Sequence, residues 1–121
     1  MLKWQKYTTL EAASKHAPVT PGVYAIGTVD RLEGLPIEGR WVYVGIGGNL
    51  RSRIAQHLPS TEGNKKLRGW IQSHYSTVEI WITATANQDE ADKLETTLIG
   101  MLNPLYNTRK RTDLQEGGSN V

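Results

Sequence analysis

Two short runs, each a tyrosine beside small and branched apolar residues, constrain the fold more than any other feature. They are Gly22-Val23-Tyr24 and Tyr43-Val44-Gly45. Both have the composition of strands, and the glycines and prolines around them mark turns. We therefore predict two antiparallel strands of one hairpin. Their tyrosine rings should be largely buried, so each hydroxyl needs a hydrogen-bond partner. Two core tyrosines without a functional role are the competing interpretation.

Helix and strand patterns follow one another in the order helix, strand, strand, helix, helix, strand, helix. The predicted helices cover residues 8–16, 50–58, 65–75 and 88–102, and a third strand covers residues 77–85. Residues with good N-cap side chains open them: Thr8, Asn49, Asn64 and Asn87. Residues 30–40, rich in acids, Gly and Pro, are predicted to form a loop. The pattern indicates a small α/β sandwich.

The fourth predicted helix has an apolar face with a carboxylate at its edge. The apolar residues are Ala91, Leu94, Leu98, Met101 and Leu102. Glu95 is in line with Ile99 at helical spacing, so it borders this face. A carboxylate there needs a partner or a metal ion. The alternative is a partly exposed glutamate paired with a basic side chain.

Arg53 and His57 are four residues apart in the second predicted helix and should project from the same side. We expect that side to flank a cleft. An arginine there offers a permanent charge and planar donors that match a phosphate. The alternative is an ordinary surface arginine and histidine.

The charge distribution favours a nucleic-acid partner. The chain has 121 residues, a net charge of +2 and a pI of about 9.0. Five cations lie in a central stretch that holds a single acid, Glu62: Arg51, Arg53, Lys65, Lys66 and Arg68. A solvated surface is the alternative explanation of this run.

Composition also bounds the organisation of the chain. There is no cysteine, which excludes disulfides and thiolate metal sites. Neither a signal-peptide pattern nor a transmembrane run is present, so a cytoplasmic location is expected. We expect residues 1–20 to form an extension with a short helix, residues 21–107 one domain, and residues 108–121 a polar, disordered tail.

Taken in order, the motifs resemble the GIY-YIG nuclease domain over residues 21–107. The matching pieces are Pro21-Gly22-Val23-Tyr24, Tyr43-Val44-Gly45, Asn49-Leu50 with Arg53 and His57, Glu95, and Asn103-Pro104 with Tyr106-Asn107. The resemblance implies an α+β fold, a three-stranded antiparallel sheet flanked by helices.

The resemblance also implies roles for individual residues. Tyr24 and Tyr43 match the signature tyrosines, and Tyr24 is the first candidate for helping to deprotonate the attacking water. Arg53 would stabilise charge on the scissile phosphate, and His57 would assist proton transfer. Glu95 would be the sole protein ligand of Mg²⁺ or Mn²⁺. Asn107 would order the site by hydrogen bonding.

One departure from the family pattern concerns Ile46. The excision-repair branch of the family carries a lysine at that position, so the missing charge speaks against this branch. The acidic segment 30–40 would repel a phosphate backbone and is expected to face away from the cleft or to shape access.

The resulting hypothesis is a stand-alone, single-domain, Mg²⁺-dependent endonuclease acting on DNA by a single-metal mechanism. Arg51, Lys65, Lys66 and Arg68 are its candidate contacts to nucleic acid. The first alternative is a nucleic-acid-binding or accessory protein that keeps the fold without cleaving. The second is a structural or toxin-like interaction module, for which the sequence holds nothing specific.

Overall fold

The structure, a computed structural model, describes residues 2–58 and 63–107. The strands are β1 (Gln5–Tyr7), β2 (Gly22–Leu32), β3 (Leu35–Gly47) and β4 (Val78–Ala84). The helices are α1 (Leu10–His16), α2 (Leu50–Ala55), α3 (Lys65–Ser73) and α4 (Gln88–Leu102). No helix in these two ranges is long and apolar enough to cross a membrane. The predicted tail, residues 108–121, lies outside the described residues.

The β-sheet has four strands in the order β1-β4-β2-β3, and every pairing is antiparallel. The predicted number of three was therefore wrong. The additional strand, Gln5–Tyr7, lies in the segment predicted to be an N-terminal extension. Its three residues are too few to show a period. It becomes a strand because it covers the free edge of β4 from Ile80 to Ile82.

The segment 30–40 was predicted to form a loop, and this prediction was wrong. β2 continues to Leu32 and β3 starts at Leu35, so only Glu33 and Gly34 form the turn. Both have positive φ angles, 53° and 87°, as a two-residue hairpin turn with the right twist requires. The acids of this hairpin lie at the end of β2 remote from Tyr24, roughly 25 Å along the strand.

A bulge in the β2–β3 pairing sets which side chains face which side of the sheet. The register shifts between Ile26 and Gly27, so that β3 holds Val42 as the extra residue. On one face, Tyr24 and Ile26 pack with residues of α1, α2 and α3. On the other face, Val23 and Val44 pack against α4. The sheet thus separates two apolar clusters.

Three of the four predicted N-cap residues are confirmed, whereas one N-cap and the end of one helix differ from the prediction. Asn49, Asn64 and Asn87 accept hydrogen bonds from the first turn of their helices as expected. In α1, however, the cap is Thr9 rather than Thr8. The second predicted helix ends at Ala55, so His57 lies beyond it, in a turn closed by its N–H bond to the Ile54 carbonyl.

The buried stripe of α4 also differs from the predicted face. Ala91, Glu95 and Ile99 are buried, whereas Met101 is 76% exposed. Leu94, Leu98 and Leu102 flank the stripe and are partly buried. Glu95 therefore lies within the buried stripe of α4, whereas the sequence predicted it at the edge of the apolar face.

Candidate active site

The two signature tyrosines lie on the same face of the sheet. In the β2–β3 register, Tyr24 is opposite Gly45 and Ile26 is opposite Tyr43. Because paired residues share a face and faces alternate along a strand, both rings project toward α2. Their centroids are 6.1 Å apart. Tyr24 is completely buried, whereas Tyr43 is half-buried.

His57 completes a cluster of three rings. Its ring centroid lies 5.3 Å from that of Tyr24 and 5.1 Å from that of Tyr43. The Tyr24 hydroxyl and His57 Nε2 are 2.5 Å apart. The phenol donates in this pair when Nε2 is the unprotonated ring nitrogen of His57. The contact forms because the turn after α2 directs the imidazole into the protein interior, where His57 is 2% exposed.

Arg53 extends the ring cluster toward the surface. Its guanidinium donates to the Tyr43 hydroxyl at 3.4 Å and to Gln56 Oε1 at 3.1 Å. Gly47 makes this approach possible, since a Cβ there would come within 2.7 Å of the Arg53 Cβ. Gln56 was not predicted as a site residue. The one sequence feature that connects it with Arg53 is its helical spacing of three residues.

Gly45 has a similar role for Tyr24. A Cβ at Gly45 would overlap the phenol of Tyr24, including its hydroxyl. Gly45 and Gly47, at and just after the end of the second tyrosine run, therefore leave room for the side chains that form the cluster.

Asn107 binds strand β3 beside Tyr43. Its side-chain oxygen accepts from the Val44 N–H at 2.9 Å, and its Nδ2 donates to the Val44 carbonyl at 2.8 Å. The Tyr106 N–H donates to the Val42 carbonyl at 2.8 Å. These bonds close the outer edge of β3 on both sides of Tyr43, so the position of the phenol is held from outside the sheet.

Glu95 approaches the sheet from the other side. Its neighbours in the stripe, Ala91 and Ile99, pack with Val23 and Val44, on the face opposite the two phenols. The residue Glu95 is only 2% exposed. The structure thus brings Tyr24, Tyr43, Arg53 and His57 into one cluster, while Glu95 lies in the buried stripe of α4, whose apolar residues pack on the other face of the sheet.

The predicted nucleic-acid contacts have different surroundings. Arg51 donates from Nε to the Ala17 carbonyl at 2.8 Å and so ties α2 to the end of α1. Lys65 and Lys66 are exposed at the start of α3, and Arg68 is half-buried in the same helix.

Metal-ligating side chains do not cluster in the described ranges. Within residues 2–58 and 63–107, no group of three or more His, Cys, Asp or Glu side chains could hold an ion. The donor set of a single carboxylate, Glu95, fits a hard ion that keeps several waters and is completed by phosphate oxygens.

Comparison with known proteins identifies the family. The profile of the UvrC-like GIY-YIG domain matches residues 20–108, which is most of the chain. The chain belongs to the UvrC-like GIY-YIG domain family. The family predicted from the motifs is thereby confirmed.

Several relatives of this GIY-YIG domain are named UvrABC system protein C. The protein from Xylella fastidiosa is 34% identical over 98 residues, which cover 81% of this chain and 14% of that protein. The protein from Aquifex aeolicus is 38% identical over 98 residues, with 81% and 15% covered. The chain thus spans about one-seventh of the length of these relatives.

Solved structures support the fold. The GIY-YIG N-terminal endonuclease domain of UvrC from Thermotoga maritima, bound to its catalytic divalent cation magnesium, aligns with a TM-score of 0.59. The match covers 82% of this chain and 96% of that domain at 23% identity. At this identity the likeness establishes a shared α+β fold.

The expectation drawn from Ile46 was wrong. The missing lysine spoke against the excision-repair branch, yet the relatives and the family profile are of the UvrC type. One substituted position carries less information than similarity spread over 98 residues.

Proposed function

We propose that this GIY-YIG domain is a divalent-metal-dependent endonuclease that hydrolyses phosphodiester bonds of DNA. The observation that carries the proposal is the cluster of Tyr24, Tyr43, Arg53 and His57 on one face of the sheet. It brings two phenols, an imidazole and a permanent cation within reach of one phosphate. A domain that only binds nucleic acid has no need of this combination.

Tyr43 and not Tyr24 is our choice for the group that accepts the proton of the attacking water. Tyr24 is fully buried and its hydroxyl is engaged by His57, whereas Tyr43 is half-buried and lies beside Arg53. A general base must lie within hydrogen-bond reach of the water it activates. As the base, the phenolate oxygen would take the proton of the attacking water and become a neutral phenol, and the proton that the phenol first loses would pass to solvent, which the half-buried Tyr43 can reach.

Tyr24 then acts as a positioning residue. Its hydrogen bond to Nε2 fixes the orientation of the His57 ring, which in turn packs edge-on against the ring of Tyr43.

Arg53 stabilises the charge on the phosphate. Its guanidinium is half-buried, and Gln56 and Tyr43 fix its orientation. Preorganised donors of this kind stabilise negative charge that grows in the transition state, because they need no rearrangement when the reaction occurs.

Glu95 is the residue that would hold the metal ion. We expect Mg²⁺, or Mn²⁺, since one carboxylate with water and phosphate oxygens suits a hard cation. When bound, the ion would neutralise charge on the leaving oxygen. The magnesium recorded in the UvrC domain from Thermotoga maritima supports this choice.

Cleavage of plasmid DNA by the Glu95→Gln and Arg53→Ala variants tests the proposal. With Mg²⁺ present, Glu95→Gln should abolish nicking, and Arg53→Ala should lower the rate by about 10²-fold or more, as loss of a charge-stabilising donor does. Glutamine has the shape of glutamate, so the buried site should stay filled.

The matched controls are Asp89→Asn, an exposed acid of the same helix, and Lys15→Ala, an exposed cation of α1. Both should cleave like the wild type. Site variants as active as the wild type would overturn the mechanism. DNA binding without cleavage under any divalent metal would favour the accessory-protein alternative.

A further inference from the structure

A groove lies between α3 and the segment that leads to Asn107, and its lining is both basic and aromatic. Its volume is about 490 Å³. The side chains that line it include Lys65, Lys66, Trp70, Ser73, His74 and Tyr106. No carboxylate is among the described residues that line it. The groove therefore attracts anions and offers ring surfaces.

The groove starts next to the candidate active site. The Tyr106 N–H donates to the carbonyl of Val42, the residue that precedes Tyr43. On the other wall, Asn64 both caps α3 and donates from Nδ2 to the Tyr106 carbonyl at 3.2 Å. Both walls are thus fixed to each other and to the strand that carries the phenol.

His74 and Trp70 form a stacked platform in this groove. Their ring centroids are 4.4 Å apart and their planes differ by 15°. His74 Nδ1 lies 2.9 Å from the Trp70 carbonyl, so a protonated Nδ1 donates and locks the imidazole over the indole. Trp70 is 8% exposed, whereas His74 and Tyr106 are half-buried. The indole supports the imidazole, and the rings of His74 and Tyr106 are the accessible ring surfaces of the groove.

We propose that this groove binds an unpaired nucleotide of single-stranded DNA next to the scissile phosphate. The base would stack on His74 and Tyr106, and Lys65 and Lys66 would contact the backbone phosphates. Only an unpaired base can stack on protein rings, since bases in a duplex already stack on one another. That the DNA is a substrate depends on the proposed nuclease function, but the binding itself does not.

Binding of a single-stranded oligonucleotide and of its duplex to the full chain, with EDTA present, tests the site without cleavage. His74→Ala should weaken single-strand binding by roughly 5- to 100-fold, the effect of losing one stacked base, and leave duplex binding unchanged. His74→Phe keeps a flat ring and should restore binding. This rescue distinguishes loss of stacking from loss of folding.

The lysines are tested through salt dependence. Lys65→Ser with Lys66→Ser should reduce the slope of log K against log salt by about 1.4 for a single strand, because two phosphate contacts are lost. The control is Lys93→Ser, an exposed lysine of α4 that does not line the groove. It should leave the slope unchanged.

Three results would overturn the proposal: single-strand binding unaffected by His74→Ala, an equal loss for duplex, or tighter binding of single-stranded RNA than DNA. The two proposals fail separately. A chain that binds single strands through the groove but cleaves nothing refutes the nuclease function alone. Cleavage that does not depend on His74 or the two lysines, with binding also unchanged, refutes the groove alone.

Discussion

At the residue scale, the hydrogen bond between Tyr24 and His57 joins strand β2 to the turn that follows α2. A buried phenol requires a hydrogen-bond partner, which the strand pattern around Tyr24 already implies. The partner is 33 residues away in sequence, and it reaches the phenol because α2 ends before His57. His57 was predicted to lie at the site because it is four residues from Arg53 in a helix. It does lie there, but in the turn that follows the helix.

Removing the phenolic oxygen of each tyrosine in turn should distinguish the function of Tyr24 from that of Tyr43. We expect Tyr43→Phe to lower kcat by about 10²- to 10⁴-fold, since it removes the proposed proton acceptor. Tyr24→Phe should instead lower the free energy of unfolding by about 1–3 kcal/mol, because buried Nε2 of His57 loses this hydrogen bond, with a smaller loss in kcat. Cleavage kinetics and urea denaturation measure the two effects.

The opposite ranking, with Tyr24→Phe inactive and Tyr43→Phe active, would return the proton-accepting role to Tyr24. Urea unfolding curves of both variants, followed by tryptophan fluorescence, provide the control. A cleavage defect is interpretable only if the variant is folded.

At the scale of elements, strand β3 is completed by residues that follow the last helix. β3 is the outer strand of the sheet, and its free edge at Val44 is bonded by the side chain of Asn107. An asparagine amide offers one donor and one acceptor, the same pair that a neighbouring strand would offer. Asn107 therefore substitutes for a fifth strand at the position next to Tyr43.

Asn107→Asp removes the donor of this pair and keeps the shape. It should lower the free energy of unfolding by about 1–3 kcal/mol, because a carboxylate cannot donate to the buried Val44 carbonyl. Urea denaturation at neutral pH measures the change. Gln72→Glu, the same amide-to-acid change at an exposed position of α3, should change stability little. Equal effects of the two substitutions would contradict this function of Asn107.

At the scale of the whole molecule, a charged pair links two neighbouring strands of the sheet. Arg31 of β2 and Glu79 of β4 form an ion pair, and the Trp81 indole N–H donates to the same carboxylate at 3.0 Å. Burial raises the pKa of Glu79, but the hydrogen bonds from Arg31 and Trp81 and the charges of Arg31 and Lys6 outweigh it. The net result is a pKa below its usual 4.5.

This lowered pKa makes stability depend on pH. The unfolded chain binds the proton at Glu79 more readily than the folded chain does. The stabilisation is thus complete above the unfolded pKa and is lost as pH falls through the lower folded value. The free energy of unfolding of Glu79→Gln should fall less steeply below about pH 4.5 than that of the wild type.

Urea denaturation at a series of pH values measures this slope. Because the side chain of Arg31 is 33% exposed, solvent screens the pair and the difference should be small, about 1 kcal/mol or less. Glu38→Gln, at an exposed hairpin position, should retain the slope of the wild type. Parallel pH curves for Glu79→Gln and wild type would contradict the prediction.

The sequence by itself determined the order of the elements from α1 to α4 and the family. The caps Asn49, Asn64 and Asn87 and the paired strands around Tyr24 and Tyr43 are local signals, and local hydrogen bonding realises them. Tertiary structure decided the rest. β1 exists only because β4 offers it a free edge. His57 meets Tyr24, and the stacked rings of Trp70 and His74 share a groove with Tyr106, only because packing joins residues distant in sequence. No periodicity in the chain encodes such contacts, since they depend on how whole elements pack against one another.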